Sequence, residues 1–329
     1  MAAESESDED HQRKFITNLF ANGGGAADNV DEDRELDDEI SEHVWTCPYA
    51  DDDHDAVGAD APPVAIHYHL AFRTPGHGNR LWNSSDCIAR HLLLPECRAA
   101  MLFGRGDATT EGGASGRRRR RCPLRWPPRR CVEFGAGAAL PSLALLREGA
   151  GRVVITDRYV NNDATFDALR MSVERNAKYW RTASDGGGGG GRAIVVPHAW
   201  GEDVDGLLTH IGGGEDNDDD REAAAASSTT RKADLLVASD CIYNPAYHDA
   251  LLRSATGVMD PERGLFVVGY SLHGNVPSPR ISDFFDAARR DYGLCVVNEF
   301  SRQYEDGQRG IGSEDAERGA VYMKVLAWM

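Results

Sequence analysis

Hydrophobic and polar residues alternate along most of the chain in patterns that predict strands and helices in turn. Residues Ala65–Phe72 alternate with a period of two, as the residues of a half-buried strand do. Within Asp163–Tyr179 the apolar residues recur at steps of three and four, which predicts an amphipathic helix. A further helix is predicted from about Cys87 to Leu94, because Asn83-Ser84-Ser85-Asp86 supplies residues that cap helix starts. Regular structure is therefore predicted from about residue 64 onward.

After residue 130 the predicted elements follow one another as strand, helix and strand. The strands are Cys131–Phe134, Val153–Asp157, Ala193–Val196, Asp234–Ser239, Gly264–Tyr270, Cys295–Val297 and Val321–Leu326. The helices are Leu140–Arg147, Asp163–Tyr179, Ala246–Met259 and Ile281–Tyr292. Several strands are apolar on both faces, which is typical of a mainly parallel sheet with helices on both faces. Because the last two strands have no predicted helix between them, we expect an α/β fold that ends in an antiparallel hairpin.

Acidic residues are concentrated in the first 64 positions. The formal net charge is −17, and residues 1–64 hold 19 acidic residues against Arg13, Lys14 and Arg34. Such a segment buries too little apolar surface to offset its ordering entropy, so residues 1–64 are predicted to be a disordered tail. The remaining residues, 65–329, are predicted to form the folded domain. Their balance of 34 acidic and 33 basic groups argues against direct nucleic-acid binding.

Three low-complexity stretches interrupt the predicted domain, near residues 104–130, 183–192 and 212–232. The first contains the arginine run Arg117–Arg121, the second contains a glycine run, and the third is acidic. These stretches have no periodic apolar pattern, so we expect flexible insertions at loop positions.

The sequence also indicates in which cellular compartment the protein is expected. It contains no apolar run of about 20 residues, the length that a transmembrane helix needs. Its acidic first residues fit neither a signal peptide nor a transit peptide. The seven cysteines include no CxxC pair, and no histidines stand near them at the spacing of a zinc site. We therefore expect a cytoplasmic protein with reduced thiols, no bound metal and no membrane association.

The sharpest local signal is the segment Glu133-Phe134-Gly135-Ala136-Gly137, which joins a predicted strand to a helix. The glycines allow a tight turn and a close approach of the backbone to a ligand. Asp157 lies 20 residues after Gly137, at the end of the next strand. A carboxylate at that place can accept hydrogen bonds from ribose hydroxyls. The pattern therefore predicts a cofactor that contains a nucleoside.

The residues after this glycine turn narrow the type of cofactor. Leu140 stands where the dinucleotide fingerprint has its third glycine, which argues against a dehydrogenase. A Lys-Ser/Thr pair for a phosphate-binding loop is also missing. S-adenosylmethionine carries ribose and adenine but no pyrophosphate, and it suits such a turn. The alternative at this point is a purely structural glycine turn.

A set of motifs in a fixed order resembles the family 16 seven-strand protein methyltransferases. The set consists of Leu81-Trp82-Asn83, Glu133–Ser142, Asp157, Trp200-Gly201 and Ser239-Asp240-Cys241-Ile242-Tyr243-Asn244. Within this family the chain is most similar to the nicotinamide-N-methyltransferase-like branch, which includes the N-terminal and lysine methyltransferases of translation elongation factor 1-alpha. The resemblance covers residues 65–329 without the three insertions, and it implies a Rossmann-like seven-strand methyltransferase sheet.

The resemblance also implies roles for individual residues. The residues implied to bind S-adenosylmethionine are Trp82, Gly135, Ala136, Gly137, Asp157, Trp200 and Ser239. Asp240 and Tyr243 form the Asp-x-x-Tyr motif of the family at the substrate entrance, and they are the implied catalytic residues. His67, His69 and His77 stand near the predicted active face, where a structural role is the simpler expectation.

The implied function is methylation of a protein nitrogen, either a lysine or an N-terminal amine. Elongation factor 1-alpha is the first candidate substrate, and a monomer is expected. One alternative is a methyltransferase for small amines such as nicotinamide. Another is a cofactor-binding scaffold without catalysis, which recruits partners through its acidic tail.

Overall fold

Each apolar run predicted as a strand after residue 130 forms a strand in the computed structural model of the chain. The structure describes residues 40–47, 64–71, 80–103, 124–159, 164–182, 192–212, 231–272, 278–304 and 320–329. The strands are β1 (Ile40–Cys47), β2 (Val64–Ala71), β3 (Arg130–Phe134), β4 (Arg152–Asp157), β5 (Arg192–Pro197), β6 (Leu235–Ser239), β7 (Leu265–Ser271), β8 (Leu294–Gln303) and β9 (Ala320–Trp328). The helices are α1 (Asn83–Leu93), α2 (Pro95–Phe103), α3 (Leu140–Arg147), α4 (Thr165–Thr182), α5 (Asp205–Gly212), α6 (His248–Val258) and α7 (Ser278–Tyr292).

Within the described residues, seven of these strands form the main sheet, in the order β5-β4-β3-β6-β7-β9-β8. Strands β3 to β7 pair in parallel, whereas β9 runs antiparallel to both β7 and β8. The predicted α/β class and the antiparallel pairing of the last two strands are confirmed. The chain order reverses at β3, which has β4 on one side and β6 on the other. Open α/β sheets bind ligands at such a switch point, outside the carboxyl ends of the strands.

The two faces of the main sheet are covered by different helices, because successive side chains of a strand point to opposite faces. Val237 packs in one apolar cluster together with residues of α1, α3 and α4. Its neighbour Leu236 packs in the other cluster, with residues of α5, α6 and α7. Both strand residues are fully buried. Burial on both faces explains why the central strands have nearly continuous apolar sequences.

Strand β1 corrects the predicted boundary of the acidic tail. Residues Ile40–Cys47 fall within the predicted tail, yet they pair antiparallel with β2 over their whole length. Trp45 and Cys47 are buried, and the Trp45 indole N–H donates to the Asp86 carboxylate on α1 at 2.6 Å. The partners that hold β1 are distant in sequence, so tail composition did not reveal it. The predicted tail residues 1–39 and 48–63 lie outside the described residues.

Helices α2 and α5 have no counterpart among the predicted helices. The sequence predicted that the first helix ends at Leu94, but Pro95 starts α2 directly afterwards. Proline is tolerated in the first helical turn, because the N–H group that it lacks has no helical partner there.

Most of the three predicted insertions lies outside the described residues. Among the residues that the structure describes, no helix has both the length and the apolar character needed to cross a membrane.

Candidate functional site

The residues implied to form the site converge at the carboxyl ends of the central strands. Gly135 follows β3, Asp157 ends β4, and Trp200 follows β5. Ser239 ends β6, and Asp240 comes directly after it. Because these strands are parallel, all five positions meet at one edge of the main sheet.

The glycine turn after β3 requires glycine for two reasons. Gly135 has a φ of +61° and Gly137 a φ of +50°, in the left-handed region that glycine adopts without strain. A Cβ atom at Gly135 would also stand 2.8 Å from Cys241 Sγ and 3.0 Å from Trp200 Cζ2. Ala136 is buried within this turn, and its N–H donates to the Thr156 carbonyl of β4 at 2.9 Å. The turn is therefore fixed against β4, β6 and the Trp200 ring.

The Asp157 carboxylate connects the end of β4 to the glycine turn. Its Oδ2 accepts a hydrogen bond from the Gly137 N–H at 2.8 Å, and its Oδ1 accepts one from the Arg158 N–H at 2.7 Å. Asp157 is half-buried at the edge of the sheet. A carboxylate oxygen has two lone pairs, so these bonds orient Asp157 and leave it able to accept bonds from hydroxyl groups.

A buried serine on α6 anchors the loop that carries Trp200. The Gly201 N–H donates to Ser254 Oγ at 2.9 Å, and His198 Nε2 lies 2.8 Å from the same oxygen. Burial lowers the pKa of His198, which keeps the imidazole neutral and able to accept the serine hydrogen. The Trp200 ring packs edge to face on Tyr247, with ring centroids 6.3 Å apart. Ser254 therefore fixes the loop on both sides of the indole.

The acidic residue of the Asp-x-x-Tyr motif is held inside the protein. Asp240 is only 7% exposed and has a φ of +50°. Its Oδ2 accepts from Ser84 Oγ at 2.5 Å, and its Oδ1 accepts from the Ser271 N–H at 2.9 Å. Ser239, the residue before it, shares its hydroxyl with Ser84 and Ser85. The Asp240 charge therefore has a fixed position beside the end of β6.

Aromatic residues line the same edge of the sheet. Tyr243 follows β6 and is half-buried, and burial raises the pKa of its phenol to about 12. The phenol therefore stays protonated near neutral pH and can donate a hydrogen bond. Trp82 precedes α1, and the Arg80 guanidinium carbon lies 3.6 Å from the centre of its ring. Burial lowers the pKa of Arg80, whereas the nearby Asp240 charge raises it.

The histidines of β2 have structural surroundings. His67 Nδ1 donates to Glu42 Oε1 at 2.6 Å, and its backbone exchanges two hydrogen bonds with the Asn176 side chain of α4. The backbone N–H of His69 donates to Ser172 Oγ on α4 at 2.8 Å. These bonds fasten β2 to α4. The third histidine, His77, lies outside the described residues.

Comparison with known proteins gives a consistent picture at the level of sequence. No protein-family model matches the chain. Over 233 residues it is 31% identical to the protein N-terminal and lysine N-methyltransferase EFM7 of Cryptococcus neoformans var. neoformans serotype D. It is 25% identical over 257 residues to the EFM7 of Yarrowia lipolytica, covering 76% of this chain and 77% of that protein.

The chain is homologous to these protein methyltransferases. The resemblance drawn from the motifs is thereby confirmed. The alignment with the Cryptococcus relative covers 71% of this chain, and the chain spans 60% of the length of that relative. A structure from Streptococcus mutans, assigned to the SAM-dependent methyltransferases, aligns with 82% of this chain and 57% of its own at 10% identity. Its TM-score of 0.44 is too low to bear on function.

Glu133 of this chain is a buried acid to which the sequence analysis assigned no role. Its Oε2 accepts from the Ser142 N–H of α3 at 3.0 Å, whereas Oε1 has no hydrogen-bond partner among the described residues. Burial raises the pKa of Glu133 to about 8, the bond from Ser142 opposes this, and the Asp157 charge adds to the rise. The signal in the sequence that could have identified it is its place within a short apolar strand, two residues before Gly135. Ser84 and Ser254 gave no comparable signal, because their partners are distant in sequence.

Proposed function

We propose that the chain is an S-adenosylmethionine-dependent N-methyltransferase that acts on an amine of a protein. The observation that supports this most strongly is that Gly135, Asp157 and Trp200 lie together at the carboxyl ends of β3, β4 and β5, beside the switch point. The EFM7 relatives are named as protein N-terminal and lysine N-methyltransferases, which supports the proposed class of substrate.

The residues at the switch point fit the proposed cofactor. The missing side chain at Gly135 lets the glycine turn pack directly against Cys241 and Trp200, so that the backbone and the indole stand side by side where a cofactor would bind. Asp157 presents an oriented carboxylate for ribose hydroxyls. Pro141 in the first turn of α3 lacks the N–H that a phosphate would bind, which favours a cofactor without a pyrophosphate. Trp82, Trp200, Ala136, Gly137 and Ser239 would complete the walls of the cofactor site.

S-adenosylmethionine, when bound, supplies a methyl group that its sulfonium makes reactive toward a nitrogen lone pair. The chain must present the amine in its neutral form, aligned and shielded from water. At pH 7 the neutral form costs about 4–5 kcal/mol for a lysine and only about 1 kcal/mol for an α-amino group. An N-terminal amine is therefore the easier acceptor, and a lysine needs more help from the site.

Asp240 and Tyr243 would serve the acceptor amine in different ways. The Asp240 carboxylate, held by Ser84 and Ser271, contributes a fixed negative charge that attracts the incoming ammonium. The protonated Tyr243 phenol would orient the amine at the entrance. Because a carboxylate stabilises the ammonium form, the released proton passes to water rather than staying on Asp240.

We propose elongation factor 1-alpha as the first substrate to test, and a cytoplasmic monomer as the working state of the enzyme. The first experiment is isothermal titration of the full chain with S-adenosylhomocysteine, with Asp157→Ala as the control and NAD in parallel. Micromolar binding that the substitution weakens is the expected result. Binding of NAD instead would overturn the proposal.

The second experiment separates the acceptor classes. The full chain is incubated with labelled S-adenosylmethionine and either elongation factor 1-alpha or nicotinamide, and the protein product is mapped by mass spectrometry. Methylation of the protein at its N-terminus or at a lysine is expected. Turnover with nicotinamide alone would indicate a small-amine methyltransferase. Cofactor binding without transfer to either acceptor, together with cellular function that survives Asp240→Ala, would indicate a scaffold.

A further inference from the structure

Three serine hydroxyls and one carboxylate form a buried chain of hydrogen bonds behind the substrate entrance. Ser85 Oγ lies 2.8 Å from Ser239 Oγ, which lies 2.6 Å from Ser84 Oγ. Ser84 Oγ in turn lies 2.5 Å from Asp240 Oδ2. Ser84 is fully buried and each of the other three is less than one-tenth exposed. Water is therefore largely excluded from these bonds.

The chemistry of the four groups allows one order of donation. A carboxylate can only accept, so the hydrogen of Ser84 goes to Asp240. Ser84 then accepts the hydrogen of Ser239, and Ser239 accepts that of Ser85, because each hydroxyl has one hydrogen. The charge of Asp240 thus orders the whole chain, and Ser84 is the member that contacts it.

Asp240 needs this support because its backbone is in a region that few residues adopt. Its φ is +50°, a conformation that Asp tolerates at a cost. Its N–H donates to the Gly269 carbonyl at 2.8 Å, and its Oδ1 accepts from the Ser271 N–H of β7. The Ser84 bond connects the second carboxylate oxygen to α1. Together these bonds hold the carboxylate between α1 and β7.

The first turn of α1 is itself fixed tightly against β7. A Cβ atom at Gly269 would stand 3.2 Å from Ser84 Cβ and 2.8 Å from Ile88 Cδ1. The carbonyl of Trp82 accepts the Ser85 N–H at 3.0 Å. The first turn of α1, through Ser85 and Ser84, therefore connects the position of Trp82 to the position of the Asp240 carboxylate.

We propose that Ser84 is a positioning residue for methyl transfer, and this inference rests on the proposed function. By donating to Oδ2, Ser84 keeps the Asp240 carboxylate turned into the protein. Without that bond the carboxylate turns toward the entrance and pairs directly with the acceptor. It then binds the acceptor as an ammonium ion, which has no lone pair to accept a methyl group.

The test compares Ser84→Ala with Ser85→Ala, two buried hydroxyl deletions one residue apart. Ser85 Oγ bonds to Ser239, one step further from Asp240 along the chain of hydrogen bonds, so Ser85→Ala is the matched control. In Ser84→Ala we expect kcat to fall about 10- to 100-fold, as for loss of a charge-assisted hydrogen bond, with an unchanged or lower KM for the acceptor. The affinity for S-adenosylhomocysteine is expected to stay within about threefold of the wild type. Ser85→Ala is expected to keep kcat near the wild-type value.

A readout without turnover accompanies these kinetics. Amide hydrogen exchange at Ser271 is expected to accelerate about tenfold or more in Ser84→Ala, because the carboxylate that accepts this N–H is released. Ser85→Ala is expected to leave it unchanged. If Ser84→Ala does not fold, Ser84→Cys, which keeps a weak donor, carries the test and is expected to give intermediate effects.

Equal effects of the two serine deletions on kcat and on Ser271 exchange would overturn the inference. A loss in Ser84→Ala that appears only in cofactor affinity would also overturn it. If the wild-type chain methylates no acceptor, the proposed function fails. The hydrogen-exchange measurement at Ser271 then still decides whether Ser84 holds the Asp240 carboxylate.

Discussion

The ring of Trp200 lies so close to Gly135 that a methyl group on this glycine would stand 3.0 Å from Trp200 Cζ2. On its other side the same methyl group would stand 2.8 Å from Cys241 Sγ. The backbone of Gly135 has a φ of +61°, where a side chain adds strain even without a clash. A side chain at this position therefore has to displace the tryptophan, the glycine turn, or both.

From this contact we predict that Gly135→Ala strongly weakens cofactor binding. Strain and overlap together are worth at least about 2 kcal/mol, so the affinity for S-adenosylhomocysteine should fall at least about 30-fold in isothermal titration. Gly206→Ala is the control, because a Cβ there meets nothing within 4 Å and the position lies in α5. It should keep wild-type affinity and melt at the same temperature or slightly higher. Wild-type affinity in Gly135→Ala would contradict the proposed cofactor site.

A second prediction concerns the charge of Asp157. Asp157→Asn keeps the size of the side chain but removes the charge that strengthens its bonds to Gly137 and to ribose hydroxyls. We expect the affinity for S-adenosylhomocysteine to fall about 10- to 100-fold. Asp167→Asn removes a charge from an exposed ion pair with Arg170 on α4, and it should change the affinity little. Equal affinities of both variants would show that Asp157 does not contact the cofactor.

The anchor of the Trp200 loop gives a third prediction. Ser254→Ala leaves the Gly201 N–H and His198 Nε2 without the oxygen that both contact. Unpaired buried groups cost about 1–3 kcal/mol, so both the melting temperature and the cofactor affinity should fall. Thr256→Ala on the same helix loses bonds only to backbone carbonyls that already serve the helix, and it should have little effect. A Ser254→Ala variant that loses stability but binds cofactor normally would show that the anchor does not position Trp200.

The buried acid Glu133 predicts how stability depends on pH. Its folded-state pKa of about 8 lies above the ordinary value of 4.5, so the folded chain keeps a proton that the unfolded chain has released. The contribution of Glu133 to stability is therefore fully present below pH 4.5, decreases as the pH rises, and levels off above pH 8. Relative to the wild type, Glu133→Gln should gain stability from pH 5 to pH 8, by at most about 4 kcal/mol.

Urea unfolding of both proteins at pH 5, 6.5 and 8 measures this difference. Other titrating groups are common to the two proteins, so the change in their difference with pH reports on position 133. A constant difference across the three pH values would mean that Glu133 is ionised in the folded protein.

The sequence predicted those elements whose stability is encoded locally. Helix α3 has the predicted bounds Leu140–Arg147, and β3 to β7 lie within two residues of the predicted strands, because most of their residues are apolar. Strand β1 was missed because it depends on β2 and on a bond from Trp45 to Asp86, 41 residues away. Local composition cannot report such distant partners.

The same distinction applies to the site. Gly135 and Asp157 belong to a motif with fixed spacing, so the sequence located them. The bonds from Ser84 to Asp240 and from Gly201 to Ser254 join residues 156 and 53 positions apart. These pairs form only when the sheet brings distant segments together. The left-handed backbone of Asp240 likewise follows from its surroundings, since its residue type alone does not require it.

The place of β9 in the main sheet affects how the protein is made. Strand β9 pairs with β7 on one side and β8 on the other, although β8 is synthesised first. A nascent chain that has left the ribosome up to residue 303 therefore exposes the edge of β7 and has no place for β8. The sheet can be completed only after Ala320–Trp328 emerges, so translation that stalls before this strand leaves an unpaired apolar edge open to aggregation or to chaperones.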